Sequence, residues 1–319
     1  MSWLIWNVRG LNKRHKQKEL KIFLRKKGIK LAALVETRVK IHKAPKTIAN
    51  INPGWQSLNN YQCAENGRIW LMWDTNHYQV THSRTTAQLI HCMINNSTGT
   101  VSYFATIIYA FNTNEKRKEL WTELAQIEQG IDRPWIIAGD FNVVLYPKDR
   151  LHGAPVSSAE TQAFTKCLYD LHLNELPWKG DYYTWSNKQM GTDRIYCRID
   201  RIFGNSDWMM HWGHVVTQYE VPYISDHSPM LIKIEDNQWT VKPPFRYFNI
   251  WAEHSKFMEK VTEVWHKQLV PGKMANIWAK LKALQKILKT LNKKEFQNIS
   301  TRITEARLEL IQTQKQINQ

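Results

Sequence analysis

Three short clusters hold the side chains of this chain best suited to chemistry. They are Gly139-Asp140-Phe141-Asn142, Arg198-Ile199-Asp200-Arg201 and Ser225-Asp226-His227-Ser228-Pro229. Each lies close to an apolar run and supplies a carboxylate; the first adds an amide and the third an imidazole. Carboxylates suit a hard divalent cation, and an amide can orient a water. A histidine can stabilise charge on an attacked phosphate or move a proton there. These are the components that metal-assisted phosphodiester hydrolysis requires.

The spacing sharpens each candidate. Asp140 and Asn142 are two apart, so an extended backbone would turn both to one side. There a carboxylate and an amide could position a water and a phosphoryl oxygen together. Gly, Asp and Asn are equally the residues of a turn after a strand. Glu36 closes the apolar run Leu31–Val35; as a Mg²⁺ ligand it needs only one or two carboxylate companions, because the ion keeps several waters. Strand alternation predicts Arg198, Asp200 and Ile202 on one face and Ile199 and Arg201 on the other. Asp200 could then bond His227, fix its tautomer and raise its pKa; an edge strand with a charge ladder has the same pattern. Asp226 and His227 are adjacent and would point apart in a regular strand, so both serve one site only if the chain turns there. Pro229 supports such an irregular entry. His211 and His214 have no Glu or Cys partner at ligand spacing, so no zinc pair is expected.

The elements that must hold these groups follow from apolar patterning. Short strands are predicted over 3–8, 31–35, 69–73, 89–94, 101–109 and 134–138, then 183–185, 195–203, 215–219 and 230–234. Helices are predicted over 16–27, with Leu20, Phe23 and Leu24 inward, and over 114–129, with Leu120, Leu124 and Ile127 inward. Ser157-Ser158-Ala159-Glu160 resembles a capping box opening a third helix. Strands joined partly by hairpins and partly by helices imply an α/β layered domain, with the reactive groups at strand ends.

The bulk composition narrows the partners. Lys and Arg number 44 against 28 Asp and Glu, a formal net charge of +16 over 319 residues. That surplus favours a polyanion through phosphate neutralisation and counterion release. Four scattered cysteines without a CxxC pair fit a reducing compartment rather than a disulfide framework or zinc ribbon. No apolar run approaches the roughly 20 residues of a membrane span, and the opening residues do not read as a signal peptide. Most of the 15 tryptophans belong in a core or an interface, though exposed ones near a cleft could stack on bases. After position 234 the character changes. Residues 235–244 read as a polar, proline-marked linker and 245–251 as an aromatic segment. From 253 the pattern is helical, with 279–319 as one or two amphipathic helices that could act as a spacer or associate with one another. The expected division is 1–236 and 237–319.

Taken together and in order, these segments resemble the endonuclease/exonuclease/phosphatase superfamily, whose fold is DNase I-like. The matching residues are Trp6-Asn7-Val8-Arg9-Gly10-Leu11, Val35-Glu36-Thr37-Arg38, Ile108-Tyr109-Ala110, Gly139-Asp140-Phe141-Asn142, Tyr183-Thr184-Trp185-Ser186, Arg198-Ile199-Asp200-Arg201 and Ser225-Asp226-His227-Ser228-Pro229. Within it the chain is most similar to the apurinic/apyrimidinic-type endonuclease of LINE retrotransposons, the plant branch in particular, on its opening motif and on Pro243-Pro244-Phe245-Arg246-Tyr247-Phe248-Asn249-Ile250-Trp251. A reverse transcriptase follows in such elements, so the chain reads as an endonuclease plus linker. The resemblance implies a four-layer α/β sandwich, two packed sheets flanked by helices, with a C-terminal helical tail. It implies Glu36 as the principal Mg²⁺ ligand (Mn²⁺ substituting), with Asn7 and Asp226 in the metal shell. Asp140 would activate water or assist the leaving oxygen, and Asn142 would hold water and phosphate. Tyr109 and His227 would contact the scissile phosphate, with Asp200 paired to His227. Thr184, Arg150 and Arg9 would contact phosphate or DNA. The implied reaction is one-step hydrolysis of a DNA phosphodiester leaving a 3′-hydroxyl, in the nucleus and with no obligate protein partner. Arg9 stands where repair enzymes of the superfamily place a metal-shell aspartate, which argues against abasic-site repair and not against nicking. A lipid or inositol-phosphate phosphatase of the same superfamily, or a binding module without turnover, would carry the same fold.

Overall fold

The computed structural model describes residues 2–64, 68–234, 247 and 251–291. Two compact units are present, Met1–Gln238 and Trp239–Gln319. The expected linker, most of the aromatic segment that carried part of the resemblance, and the helical pattern beyond 291 lie outside the described residues.

The first unit opens with β1 (Ser2–Asn7), α1 (Arg14–Lys26), β2 (Leu31–Val35), α2 (Ala44–Ile51), β3 (Gln56–Asn59) and β4 (Ile69–Trp73). It continues with β5 (Tyr78–Thr85), β6 (Leu89–Asn96), β7 (Ser102–Tyr109), α3 (Asn114–Glu128), β8 (Trp135–Asp140), β9 (Arg150–Leu151) and α4 (Ser158–Asp170). Short pieces follow: β10 (Asn174–Glu175), β11 (Trp178–Lys179), β12 (Trp185–Ser186), β13 (Tyr196–Cys197), β14 (Asp200–Gly204), α5 (Ser206–Trp212), β15 (Thr217–Tyr219) and β16 (Met230–Lys233).

One sheet has the order β11-β15-β16-β1-β2-β4-β3, the second β10-β14-β8-β7-β6-β5, and a small third sheet joins β12, β13 and β9. The central strands are apolar at nearly every position because both of their faces are covered. Trp3 and Ile5 of β1, Leu31, Ala33 and Val35 of β2, and Ile69, Leu71 and Trp73 of β4 face the second sheet. The alternate residues Leu4, Trp6, Ala32, Leu34, Trp70 and Met72 meet Leu20 and Leu24 of α1 and Ile48 and Ile51 of α2. On the second sheet Ile136 and Ala138 face inward, while Trp135 and Ile137 pack with Leu120 and Leu124 of α3 and Phe164 of α4. The result is four layers, helix–sheet–sheet–helix. Each fully buried Leu, Ile or Phe contributes roughly 1.5–3 kcal/mol of transfer free energy to this stack.

The alternation that builds the core also builds the site. Asn7 continues the inward parity of Trp3 and Ile5, and Asp140 continues that of Ile136 and Ala138. Tyr109 is likewise the inward residue at the end of β7. Tyr109 pairs with Asp140 across β7–β8 and Asp140 with Asp200 across β8–β14. Polar side chains thus occupy the last inward step of several strands, where the inter-sheet core reaches its rim.

Several expectations need correction. The segment 195–203 is not one strand. It breaks between β13 and β14, and the predicted face alternation fails with it. Arg198 and Arg201, expected on opposite faces, both bind the Glu175 carboxylate at 2.7 Å, and both are buried. The Ser157 cap is half of a capping box: its hydroxyl accepts the Glu160 N–H, while the Glu160 carboxylate turns to Arg150. Helix α2 and strands β3 and β5 were not anticipated. In the second unit, α6 (Phe257–Trp265) and α7 (Lys273–Leu291) form the described part of the tail. Trp251, Leu288 and Leu291 make a small core there.

Candidate active site

Asn7 is the hub of the polar rim. Its Nδ2 donates to Glu36 Oε2 at 2.9 Å and to Asp140 Oδ2 at 2.8 Å, and its Oδ1 accepts the backbone N–H of Arg9. Asn7, Asp140, Asp200 and His227 are almost completely buried, and Glu36 and Asp226 nearly so. On the other side of Asp140, His227 Nε2 lies 3.9 Å from Oδ2, and His227 Nδ1 meets Asp200 Oδ2 at 2.9 Å. The side chains of Glu36, Asn7, Asp140, His227 and Asp200 therefore form one connected chain.

Local backbone geometry brings them together. Gly139 has φ +148, and a Cβ there would lie 2.0 Å from the Ile108 carbonyl oxygen; only glycine lets β8 pass β7 closely enough to present Asp140. Seven non-glycine residues among those described have positive φ, and four of them, Arg9, Glu36, Arg38 and Asn142, border this site. Each such conformation costs on the order of 1–2 kcal/mol, and strain of this kind concentrates at functional sites. For Asn142 it corrects the sequence reading. The strand ends at Asp140, and Asn142 joins the site by donating its backbone N–H to Asp140 Oδ1, while its Nδ2 bonds the Ala110 carbonyl. At Asp226 and His227 the chain is irregular, as Pro229 suggested, making only an isolated bridge between His227 and Trp185.

The electrostatics follow from burial and proximity. Burial raises the Asp140 carboxyl, and the neighbouring Asp200 carboxylate raises it further, to about 7, against the opposing pull of His227, Asn7 and the Asn142 N–H. Burial alone would lower His227. The charge and hydrogen bond of Asp200, with Asp140 and Asp226 beyond, outweigh it and lift the imidazole to about 9. At neutral pH the ring is a cation that holds a proton at Nε2, facing Asp140. The Tyr109 phenol is pushed up by burial and by Glu36 and Asp140, so it stays a donor.

Two groups of residues could be considered for a cation. One oxygen or nitrogen from each of Asp140, Asp200 and His227 lies within 4.8 Å of the others. There Asp200 already engages Nδ1, and a metal would have to expel the imidazolium's protons. On the Glu36 side the oxygens are held otherwise: the Asn7 Oδ1 accepts the Arg9 N–H, and Asp226 meets Arg9 and Trp185. The Asn7 amide N–H₂ now bridges two buried carboxylates, as a cation would. Arginines also reach in: Arg38 pairs with Glu36, and Arg9 pairs with Asp226. Trp185 Nε1 donates to Asp226 at 3.0 Å, and Ser225 Oγ ties that segment to the Asn7 carbonyl at 2.7 Å.

Other residues singled out from sequence have different surroundings. Thr184 is fully buried; its hydroxyl accepts the N–H groups of Ile199 and Asp200, at 3.1 and 3.0 Å, so in this structure it positions Asp200. Arg150 is engaged by both oxygens of Glu160 and by the Ala154 carbonyl. Arg9 is half-exposed beside Asp226. Sequence reasoning passed over Arg68. Its guanidinium lies 4.1 Å from the Tyr109 ring centroid and 4.6 Å from that of Phe111, and it donates to the Ala87 and Tyr109 carbonyls. It immediately precedes the apolar run of β4, and nothing in its spacing marks it. Trp185 is a similar case: only its neighbour in the motif drew notice.

Beyond Asp226 a hollow of about 480 Å³ is lined by Tyr182, Tyr183, Trp185, Lys188 and Arg194. An acid raised toward neutrality, a charged imidazole and a phenol donor around one rim are groups that acid–base chemistry on a phosphate ester can use.

Comparison with known proteins bears on the fold and on the family. A search of curated protein sequences returned no match. Among solved structures, the endonuclease domain of TRAS1, a telomere-specific non-LTR retrotransposon, is 17% identical with a TM-score of 0.57, covering 74% of this chain and 99% of that one. The AP endonuclease LMAP from Leishmania major is 13% identical with a TM-score of 0.56, covering 72% and 86%. An endonuclease/exonuclease/phosphatase from Bacteroides vulgatus is 14% identical with a TM-score of 0.52, covering 72% and 97%. At these identities the likeness is one of fold, two packed sheets between helices in the DNase I-like arrangement. The family model matches residues 4–227, from the first core leucine to His227. On that span the chain belongs to the Endonuclease/Exonuclease/phosphatase family.

Proposed function

We propose that the chain is a Mg²⁺-dependent DNA endonuclease of the LINE-retrotransposon type, acting on nuclear DNA. The observation that carries this reading is the continuous path Glu36–Asn7–Asp140–His227–Asp200 at the rim between the sheets. It joins the Glu36 carboxylate to an acid–base pair. The net charge of +16 favours a polyanion over a small soluble ester. The fold likeness to a retrotransposon endonuclease points the same way.

When bound by Glu36, Asn7 and Asp226, Mg²⁺ would polarise a phosphoryl oxygen and offset its charge. Asp140, once deprotonated, accepts a proton from the water that attacks phosphorus. The bond from phosphorus to the 3′ oxygen breaks, and the departing oxygen takes a proton from solvent water, leaving a 3′-hydroxyl and a 5′-phosphate. His227 places a positive N–H against the developing charge on the phosphoryl oxygens, and Asp200 holds its ring. Tyr109 donates to the same phosphate.

The test is conversion of supercoiled plasmid to open circles with Mg²⁺ and with EDTA. Wild type should nick only with the metal and leave ends that a DNA polymerase extends. Asp140→Ala and His227→Ala should each nick on the order of 10²–10⁴-fold more slowly. Equal nicking by all three proteins would remove the assigned site.

A further inference from the structure

Helices α1 and α2 pack side by side on the outer face of the first sheet and leave a groove of about 1070 Å³ between them. Arg14, Lys18 and Lys21 of α1 line one wall; Lys40, Lys43 and Lys46 line the other, with Arg38 and His42. No acidic residue lines it. Glu19, the acid of α1, is turned away and accepts from the Tyr223 hydroxyl. Among the described residues Arg14, Lys18, Lys21, Lys40, Lys43 and Lys46 make no ion pair, and Lys21 donates to the Asn50 carbonyl at 3.1 Å.

Such an arrangement is unfavourable in isolation. Arg14, Lys18 and Lys21 follow at steps of four and three, and Lys40, Lys43 and Lys46 at steps of three, so like charges stack along each wall. Each such helical pair destabilises by a few tenths of a kcal/mol. An apolar stripe for packing α1 requires nothing of its outer face, and interspersed acids would make that face soluble at no penalty. The pattern is the footprint of an extended anion. At about 1.5 Å rise per residue, Arg14 and Lys21 lie roughly 10 Å apart along the helix, a run that covers successive phosphates of one strand. The groove also joins the site, because Arg38 lines it while reaching Glu36.

We infer that this groove seats the phosphate backbone of duplex DNA flanking the cleaved bond. The inference rests on the nuclease reading for its choice of polyanion and adds a surface to it. Contacts of this type fix the position of the duplex and carry no base information.

The experiment measures binding apart from cleavage. Fluorescence anisotropy of a labelled duplex DNA in EDTA, across a NaCl series, would compare wild type with the quadruple variant Lys18→Gln/Lys21→Gln/Lys43→Gln/Lys46→Gln. Removing four phosphate contacts should flatten the slope of log K against log salt by about 3–4, and affinity at moderate salt should fall at least ~100-fold. Lys118→Gln/Lys166→Gln, on the helices of the opposite layer, should leave the slope unchanged. The quadruple variant should melt close to wild type, since like-charge contacts are lost together with one exposed hydrogen bond, from Lys21 to the Asn50 carbonyl. An unchanged slope, or an equal change in the control, overturns the groove, as does an RNA duplex that binds more tightly than DNA through the same lysines. Plasmid nicking reads the nuclease separately: nicking with an unaltered binding slope removes the groove alone, and groove-dependent binding without nicking removes the nuclease alone.

Discussion

His227 is held by Asp200 through Nδ1 at 2.9 Å, in a site where both side chains are excluded from water. Burial should strip the imidazole of its proton, and the carboxylate reverses that outcome, to about 9. The carboxylate thus keeps the imidazole charged at physiological pH, with its other nitrogen, Nε2, facing Asp140 at 3.9 Å.

The first prediction concerns pH. Nicking should fall on the alkaline side with an apparent pKa near 9, as the imidazolium is lost. Asp200→Asn removes the compensating charge, so the limb should move below the ordinary histidine value of about 6.5. Stability follows the same sign. A histidine whose folded pKa is raised stabilises fully below about 6.5, and that contribution is lost as pH rises through about 9. Urea midpoints of wild type should decline across that window, and those of His227→Gln should not show this component. A pH–rate profile insensitive to Asp200→Asn would reject the pairing.

A second prediction follows from Asn7, whose amide lies between two buried carboxylates. Asn7→Ala deletes the donor to Glu36 and Asp140 and the acceptor for the Arg9 N–H. Leaving buried polar groups unmet costs roughly 1–3 kcal/mol. In EDTA the variant should be destabilised by about that amount. Mg²⁺ should restore part of the loss, because a cation answers the same carboxylates.

How much of this was legible beforehand depends on the kind of residue. Asn7, Tyr109, Asp140 and Asp200 sit where strand parity puts them, at the end of apolar runs that two-sided burial makes easy to read. Strand β5 was invisible because its half-buried sequence offers little apolar alternation beyond Tyr78 and Val80. Helix α2 is short, contains Pro45, and carries Lys46 on its outer face. Alternation misled at Arg198 and Arg201, where a break between β13 and β14 lets two arginines share Glu175. Asn142 was expected to converge with Asp140 by extended spacing; a left-handed turn does it instead. Thr184 and Arg68 act through backbone atoms and ring faces distant in sequence, which no spacing encodes.

The third prediction contrasts two glycines with positive φ. A Cβ at Gly139 would strike the Ile108 backbone, whereas one at Gly99 would meet nothing within 4 Å. Gly99→Ala should cost only the conformational strain, about 1 kcal/mol. Gly139→Ala must push β8 away from β7 and should cost several times more, with loss of nicking because Asp140 moves with the strand. Denaturant titrations of the two variants give the comparison directly.

The last prediction assigns Arg68 a positioning role. Its guanidinium covers the Tyr109 ring while its N–H groups hold the Ala87 and Tyr109 carbonyls. Lysine keeps the charge and loses both the planar stacking and the fork of donors. Arg68→Lys should therefore reduce kcat about tenfold by letting the phenol wander, with little change in KM. If Arg68 acts only through Tyr109, Tyr109→Phe should already lose that contribution, and the double variant should be no slower than Tyr109→Phe alone. Additive losses would mean that Arg68 touches the substrate itself, and its contribution would then be expected in KM and in the salt dependence of binding.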